Sequence, residues 1–272
     1  MKLAPVCPAT KRLGRALPLF LMLCASPCML SAQAPSADTP VPPDWALPGS
    51  AHHMQVPPPK DFHRSTTTFN KSIGMFKGQS DVGGALVPGS ARYDKATKQY
   101  SINSAGYNIW YTRDEFRYLW KKMSGDVSLA ADVSFVDPKG FFDRKVVLII
   151  RQDLDDDSEE AMVADHGSGL IHLGYRPEKN TSMKEIDRIN PHPGDPHPKR
   201  IGIEKHGDTI TIFVSMTGEP MHQVGKPVTV HFDEPFYVGI GFSSHLPVTT
   251  DTAVLSGVVL KNSAGKVHQT LH

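Results

Sequence analysis

The stretch "QDLDDDSEE", residues 152–160, places six carboxylates within eight positions. Carboxylates at that density can offer several oxygens to calcium, and a pair held about 5 to 9 Å apart can run glycoside hydrolysis. Either use needs the groups to project from one face, which on a strand means alternate positions. Asp155, Asp156 and Asp157 are instead consecutive. Consecutive aspartates suit a turn, where each can bond its own backbone. The reading is a solvated corner between two strands, with a calcium site and a catalytic pair as alternatives. Apart from that calcium, no cofactor is expected.

Arg151, His172 and Tyr175 flank this corner and offer a different chemistry. Arg151 ends the apolar run "KVVLIIR", and His172 interrupts the series Ile171, Leu173, Tyr175. If the strands pair around the corner, these three side chains line one concave surface and Arg176 faces away. A guanidinium, an imidazole and a phenol suit sugar hydroxyls, and an aromatic ring suits the apolar face of a pyranose. Trp110 is the candidate platform, with Tyr107, Tyr111, Tyr118 and Trp120 near it in sequence. The competing reading makes Arg151 a strand-end ion-pair partner and His172 a solvent-face residue. Trp110 stays open between platform and core, whereas Phe116, Tyr118 and Trp120, in register with one another, read as core.

"HPGDPHP" sets His192, Asp195 and His197 close together, a donor set that a metal could use. Its prolines fix φ without making the donors converge, so a surface loop is the reading, and His52 and His53 carry less weight still. There is no G-x-S-x-G elbow, no H-E-x-x-H and no phosphate-binding glycine loop, which lowers the case for an enzyme.

The elements that must hold these residues are strands. From about Thr66 to Asn262, short apolar runs of period two alternate with Gly, Pro, Asn and Asp. Phe116, Tyr118 and Trp120 point one way and Arg117 and Leu119 the other, while Val127, Leu129, Ala131, Val133 and Phe135 share a face. "KVVLIIRQ" reads as a strand buried on both sides, and "EKHGDT" as a tight hairpin in which Gly207 takes the positive φ of a two-residue turn. No helix longer than a turn or two is expected. About a dozen short strands without internal repeat point to one antiparallel β-sandwich spanning 66–272.

Ahead of it, Lys2, Lys11, Arg12 and Arg15 precede an apolar segment, Ala16 to Leu30, that closes on "SA". That is the build of a secretory signal peptide, residues 1–32, too short and too proline-broken to cross a bilayer. Residues 33–65 are rich in Pro, Ala and Ser and read as an extended linker, with Trp45 a candidate anchor. All three cysteines lie inside the leader, so the expected mature chain needs a core that holds without disulfides. Loss of the leader lowers Lys plus Arg from 29 to 25 against 28 Asp plus Glu, a net charge of −3. Such a balance gives no electrostatic case for nucleic acid. The expected location is periplasmic or extracellular, with no transmembrane span in the mature chain.

The segment "YSINSAGYNIWYTRDEFRYLWKKMSGDVSLAADVSFVD", Tyr100 to Asp137, resembles secreted bacterial concanavalin A-like jelly rolls of the domain-of-unknown-function 1349 type. The following "RKVVLIIRQDLDDDSEEAMVADHGSGLIHLGYR" is similar to the same pattern. The resemblance covers roughly Ala91 to Asn262 and implies two curved antiparallel sheets, related to laminin G-like and glucanase-like domains. It implies little about activity, because that fold hosts lectins, hydrolases and lyases. Pro177 to Arg200 is longer and richer in proline than a plain hairpin, and could cover one rim of the concave sheet. The function expected is non-catalytic binding of carbohydrate or another extracellular ligand on that sheet, through Trp110, Arg151, His172 and Tyr175. The alternatives are a jelly-roll glycoside hydrolase or polysaccharide lyase, and an envelope structural or protein-interaction module.

Overall fold

The structure, a computed structural model, describes residues 58–59, 61–189 and 197–267. The signal-peptide reading, Trp45, and His52, His53, His192 and Asp195 lie outside the described residues. Strands are numbered in chain order. One sheet runs in the order β1 (Thr67–Phe69), β2 (Gly78–Val82), β7 (Phe116–Met123), β16 (Phe236–Ser243), β9 (Lys145–Arg151), β10 (Glu160–His166), β11 (Ile171–Arg176) and β12 (Lys184–Ile189). The other runs β15 (His222–Thr229), β14 (Thr209–Ser215), β13 (Arg200–His206), β8 (Val127–Phe135), β17 (Asp251–Lys261), β4 (Gln99–Ser104) and β3 (Ser90–Asp94). A separate hairpin joins β5 (Ile109–Trp110) to β6 (Arg113–Asp114). Neighbouring strands in both sheets pair antiparallel.

The two sheets close on one apolar interior. Val146, Leu148 and Ile150 of β9 and Val238, Ile240 and Phe242 of β16 meet Leu129, Ile201, Ile203, Ile212 and Leu255 from the opposite sheet. Each fully buried side chain of this size contributes about 1.5–3 kcal/mol, so a continuous interior of this extent holds together the described residues, which include no cysteine. The Gly207 turn is as expected: His206 pairs with Thr209, and Gly207 has φ +54°.

The first sheet is also covered on its outer face. Phe116, Tyr118, Trp120, Val147, Ile149, Met162 and Ala164 form a second buried cluster there, with Val82, Ile109 and Met183 lying on it. That double burial is why "KVVLIIRQ" lacks alternation. Glycines make room for the rings: a Cβ at Gly78 would fall 2.2 Å from Trp120 Cζ2, and one at Gly241 2.6 Å from Phe116 Cε2. Within Pro177 to Arg200, β12 pairs with β11 as an edge strand, so the described part of this segment extends the sheet beyond β11.

One residue works against this interior. Asp165 shares the inward face of β10 with Ala161 and Val163, is 2% exposed, and its Oδ1 accepts no hydrogen bond among the described residues. Burial alone pushes its carboxyl well above the usual aspartate range. A raised folded-state pKa means a cost that is absent below the unfolded value, near pH 4, and grows as pH rises towards the folded one. Asp165→Asn is therefore expected to raise the melting temperature at pH 7 and to bring no gain at pH 4. Thermal scans at the two values check it; equal shifts at both would show that the carboxyl's ionisation is not the cause.

Candidate functional site

The acidic corner is less hydrated than its composition suggests. Of its carboxylates only Asp155 is exposed, while Asp156, Asp157 and Glu160 are buried. Asp156 accepts hydrogen bonds from Arg113 Nε at 3.3 Å and Arg64 N at 3.1 Å, and His63 Nδ1 lies 2.8 Å away. Lys179 Nζ donates to Asp153 at 2.8 Å and to Asp155, and lies 3.6 Å from Asp157. The solvated-corner reading is thus corrected: most of these acids bind protein cations, because the corner closes on the β5–β6 hairpin and on residues 63–64. Lys179 already lies against three of the carboxylates, so the arrangement does not fit a bound cation.

Inside the corner sits a four-member ionic cluster. Asp114 receives Arg176 through both carboxylate oxygens, each at 2.9 Å, and Arg151 Nη1 at 2.7 Å. Glu160 takes a close hydrogen bond from the same Arg151 Nη1, and Arg176 Nη1 lies 3.6 Å from it. All four side chains are 0% exposed. Their formal charges cancel. Burial opposes the Asp114 charge, but Arg176 and Arg151 outweigh it and hold the carboxyl below its usual range. Burial, helped by the Asp114 charge, pushes Glu160 up.

The cluster fastens the hairpin to the sheet. Asp114 belongs to β6, Arg151, Glu160 and Arg176 to β9, β10 and β11. Arg176 Nη2 also donates to Tyr111 O at 3.3 Å, and Met183 N to the same oxygen at 2.7 Å. These bonds hold Tyr111 at φ +53° in the hairpin turn, a conformation costly for a bulky side chain. The residue before it is Trp110.

Two of the four expected site residues come together, and two do not. Trp110 and His172 line a common pocket, their ring centroids 5.4 Å apart. Arg151 is committed to Asp114, Glu160 and the carbonyl of Asp155, which corrects its assignment as a ligand contact. Tyr175 lies on the inward face, packed on the interior with Lys184 Nζ 5.9 Å from its ring. The reason is parity: His172 and Arg176 differ by an even number and share a face, and Tyr175 takes the other. The expectation that Arg176 faces away is corrected by the same rule.

The pocket encloses about 200 Å³ and is lined by Asn108, Trp110, Asp143, Lys145, His166, Leu170, His172, Glu185 and His245. Lys145 and His166 are register partners at the ends of β9 and β10. Lys145 Nζ donates to Asn108 Oδ1 at 2.8 Å and lies 5.7 Å from the Trp110 ring. Burial lowers its pKa to about 8, against the pull of Asp143 and other acids. Burial, and then the Lys145 charge, push His166 well below its usual value, so it is neutral at pH 7. The His166 and His172 rings are 5.1 Å apart, with Asp143 3.5 Å from the first and Glu185 3.5 Å from the second. No group of three His, Cys, Asp or Glu side chains among the described residues is arranged to hold a metal ion.

Sequence reasoning missed Asn108, Asp143, Lys145, His166, Glu185 and His245. A signal existed for two of them. Lys145 and His166 are polar ends of otherwise apolar runs, and once β9 pairs with β10 both fall on the His172 face. The others reach the pocket from loops and from β12, so only the folded chain brings them in.

No protein-family model and no curated protein sequence matches the chain. Among solved structures, the fold is similar to a functionally unknown protein from Saccharomyces cerevisiae, with TM-score 0.50 and 12% identity over 74% of this chain and 97% of that one. It is also similar to carbohydrate-binding module CBM66 from Bacillus subtilis, with TM-score 0.41 and 13% identity over 73% and 96%. A third similarity is to a xylan beta-1,4-xylosidase from Bacillus halodurans C-125, with TM-score 0.48 and 13% identity over 74% of this chain and 40% of that one. The molecule is an all-β, two-sheet antiparallel sandwich, a fold it shares with the first of these structures. Identities this low speak to fold alone.

Proposed function

We propose that the protein binds carbohydrate, one glycosyl ring at a time, in the pocket between Trp110 and the Lys145, His166, His172 group. The observation that carries this reading is the combination at one site of a half-buried indole and a floor of neutral and charged hydrogen-bonding groups. The indole offers a face to the C–H side of a sugar ring. Lys145, His166, His172, Asn108 and Glu185 offer donors and acceptors to its hydroxyls. A volume of about 200 Å³ is below the roughly 300–1,000 Å³ of drug-sized pockets, which suits a single ring. With Asp143 and Glu185 against one Lys145, the site favours neutral sugars over uronates. The reading rests on this pocket and not on likeness of fold. Export from the cell and kinship with the secreted domains that Tyr100 to Asp137 resembles belong to the same reading.

The test is a glycan panel titrated with the protein, with and without calcium. At least one neutral saccharide is expected to bind. Because Lys145 loses its proton as pH rises through about 8, affinity is expected to fall by severalfold between pH 7 and pH 9, and Lys145→Met to flatten that profile. Absence of binding at millimolar saccharide across the panel would overturn the proposal. A second reading, glycoside hydrolysis, has one observation in its favour: Asp143 and Glu185 face the same cavity, and hydrolysis uses two carboxyls. Release of reducing sugar from a bound glycan, lost in Glu185→Gln, would select it.

A further inference from the structure

Among the described residues, five large apolar side chains stand exposed: Phe69, Met75, Val136, Phe142 and Val248. Scattered apolar residues are ordinary on a protein surface, so exposure by itself says nothing. Of the two aromatics, Phe69 has Arg117 5.0 Å from its ring centroid. Phe142 is 56% exposed and stands differently. Its ring lies 4.8 Å from that of Phe141, and Phe141 stacks on His245 at 5.3 Å and 19°. His245 lines the pocket, and so does Asp143, the next residue in the chain. An aromatic path therefore runs without interruption from the pocket to the outer surface.

The segment carrying this path, between β8 and β9, is fastened on several sides. Ser168 N donates to Phe142 O at 2.8 Å, Arg144 N to Phe141 O at 3.1 Å, and Gly167 N to Arg144 O at 2.8 Å. Arg144 Nη1 reaches Asp251 Oδ2 at 2.6 Å, and its guanidinium lies 4.5 Å from the Phe135 ring centroid. A platform held by this many bonds loses little entropy when a ligand ring is laid on it.

We propose that the binding surface continues from the pocket onto Phe142, so that the ligand is the end of a neutral oligosaccharide chain. One ring fills the pocket and a following ring lies against Phe142. The pocket is sized for one ring, so a chain entering it must leave across the surface, and Phe142 is the exposed aromatic continuous with it. This extension rests on the carbohydrate reading of the pocket.

The experiment is isothermal titration with matched probes: glucose and cellotetraose, xylose and xylotetraose, mannose and mannotetraose. For the sugar that binds, the tetrasaccharide is expected to bind at least about tenfold more tightly than the monosaccharide. Phe142→Ala is expected to remove most of that advantage and to leave the monosaccharide constant within about twofold, while Phe142→Trp retains it. Phe142 is exposed, so loss of folding does not enter. Equal affinity of the wild type for both chain lengths overturns the extension. So does an unchanged tetrasaccharide affinity in Phe142→Ala when Trp110→Ala loses both ligands, and the pocket reading then survives alone. If none of the six probes binds the wild type, the pocket reading falls for these sugars and the extension falls with it.

Discussion

Replacing Asp114 with alanine is expected to cost about 3–5 kcal/mol of stability, because it leaves two buried guanidinium groups facing each other with one carboxylate between them. For a domain of this size each kcal/mol corresponds to about 2–4 °C, so a fall of roughly 10 °C or more should appear in thermal scans. Arg151 and Arg176 are wholly buried and all three Asp114 bonds are 2.9 Å or shorter, so water has no route to replace the lost oxygens. Glu160→Gln should be milder than Asp114→Asn. Burial already disfavours the Glu160 charge, whereas the Asp114 charge is the one that Arg176 and Arg151 sustain. The reverse ranking would mean that the cluster's negative charge resides mainly on Glu160.

The cluster's pH dependence follows with a definite sign. A carboxyl held below its unfolded value contributes stability that is present above that value and lost as pH falls through the lowered one. Asp114 is such a group, so it contributes to acid unfolding. Asp165 and Glu160, both raised, act in the opposite direction. Asp114→Ala should also weaken ligand binding, since the hairpin that carries Trp110 loses its hold on the sheet. On the proposed carbohydrate reading, that makes Asp114 a positioning residue.

Trp110→Ala is the second large effect, and it should separate binding from folding. Affinity for the bound saccharide is expected to fall about five- to tenfold, the loss of a stacking face worth about 1–1.4 kcal/mol. The melting temperature should move by only a few degrees. Trp110 is half-buried at the edge of the outer cluster, and its hairpin is fastened through Asp114 and the Tyr111 carbonyl. A fully buried tryptophan would cost about 3–5 kcal/mol on truncation. Calorimetric titration and a thermal scan on one preparation give both numbers. A drop of many degrees with affinity unchanged would make Trp110 a packing residue and remove the platform from the site.

The strands were legible because period two is a local property. Phe116, Tyr118 and Trp120 share a face by spacing alone, and the structure places all three on the outer face of the first sheet. That this face is buried was legible too, from the register of those rings and the unbroken apolar run of β9; what covers it was not, since the cover comes from the β5–β6 hairpin and from Met183 of a distant segment. The acidic corner misled for a related reason. A run of aspartates carries no mark of whether cations will reach it, and here Arg113, His63 and Lys179 arrive from three separate segments. Tyr175 is a different case, because the parity rule that separates it from His172 was available in the sequence.

By itself the sequence determined an all-β chain, the alternation of its faces, the doubly buried strand β9 and the Gly207 turn. Each of these depends on residues within one strand or one turn. Tertiary structure alone decided which polar groups are consumed by one another and which remain at a cavity. Arg151 and His172 both interrupt apolar strands, yet one is neutralised by Asp114 and Glu160 and the other lines the pocket beside Trp110. Charge pairing and enclosure depend on groups brought within a few ångströms by chain closure, and no local pattern carries that distance.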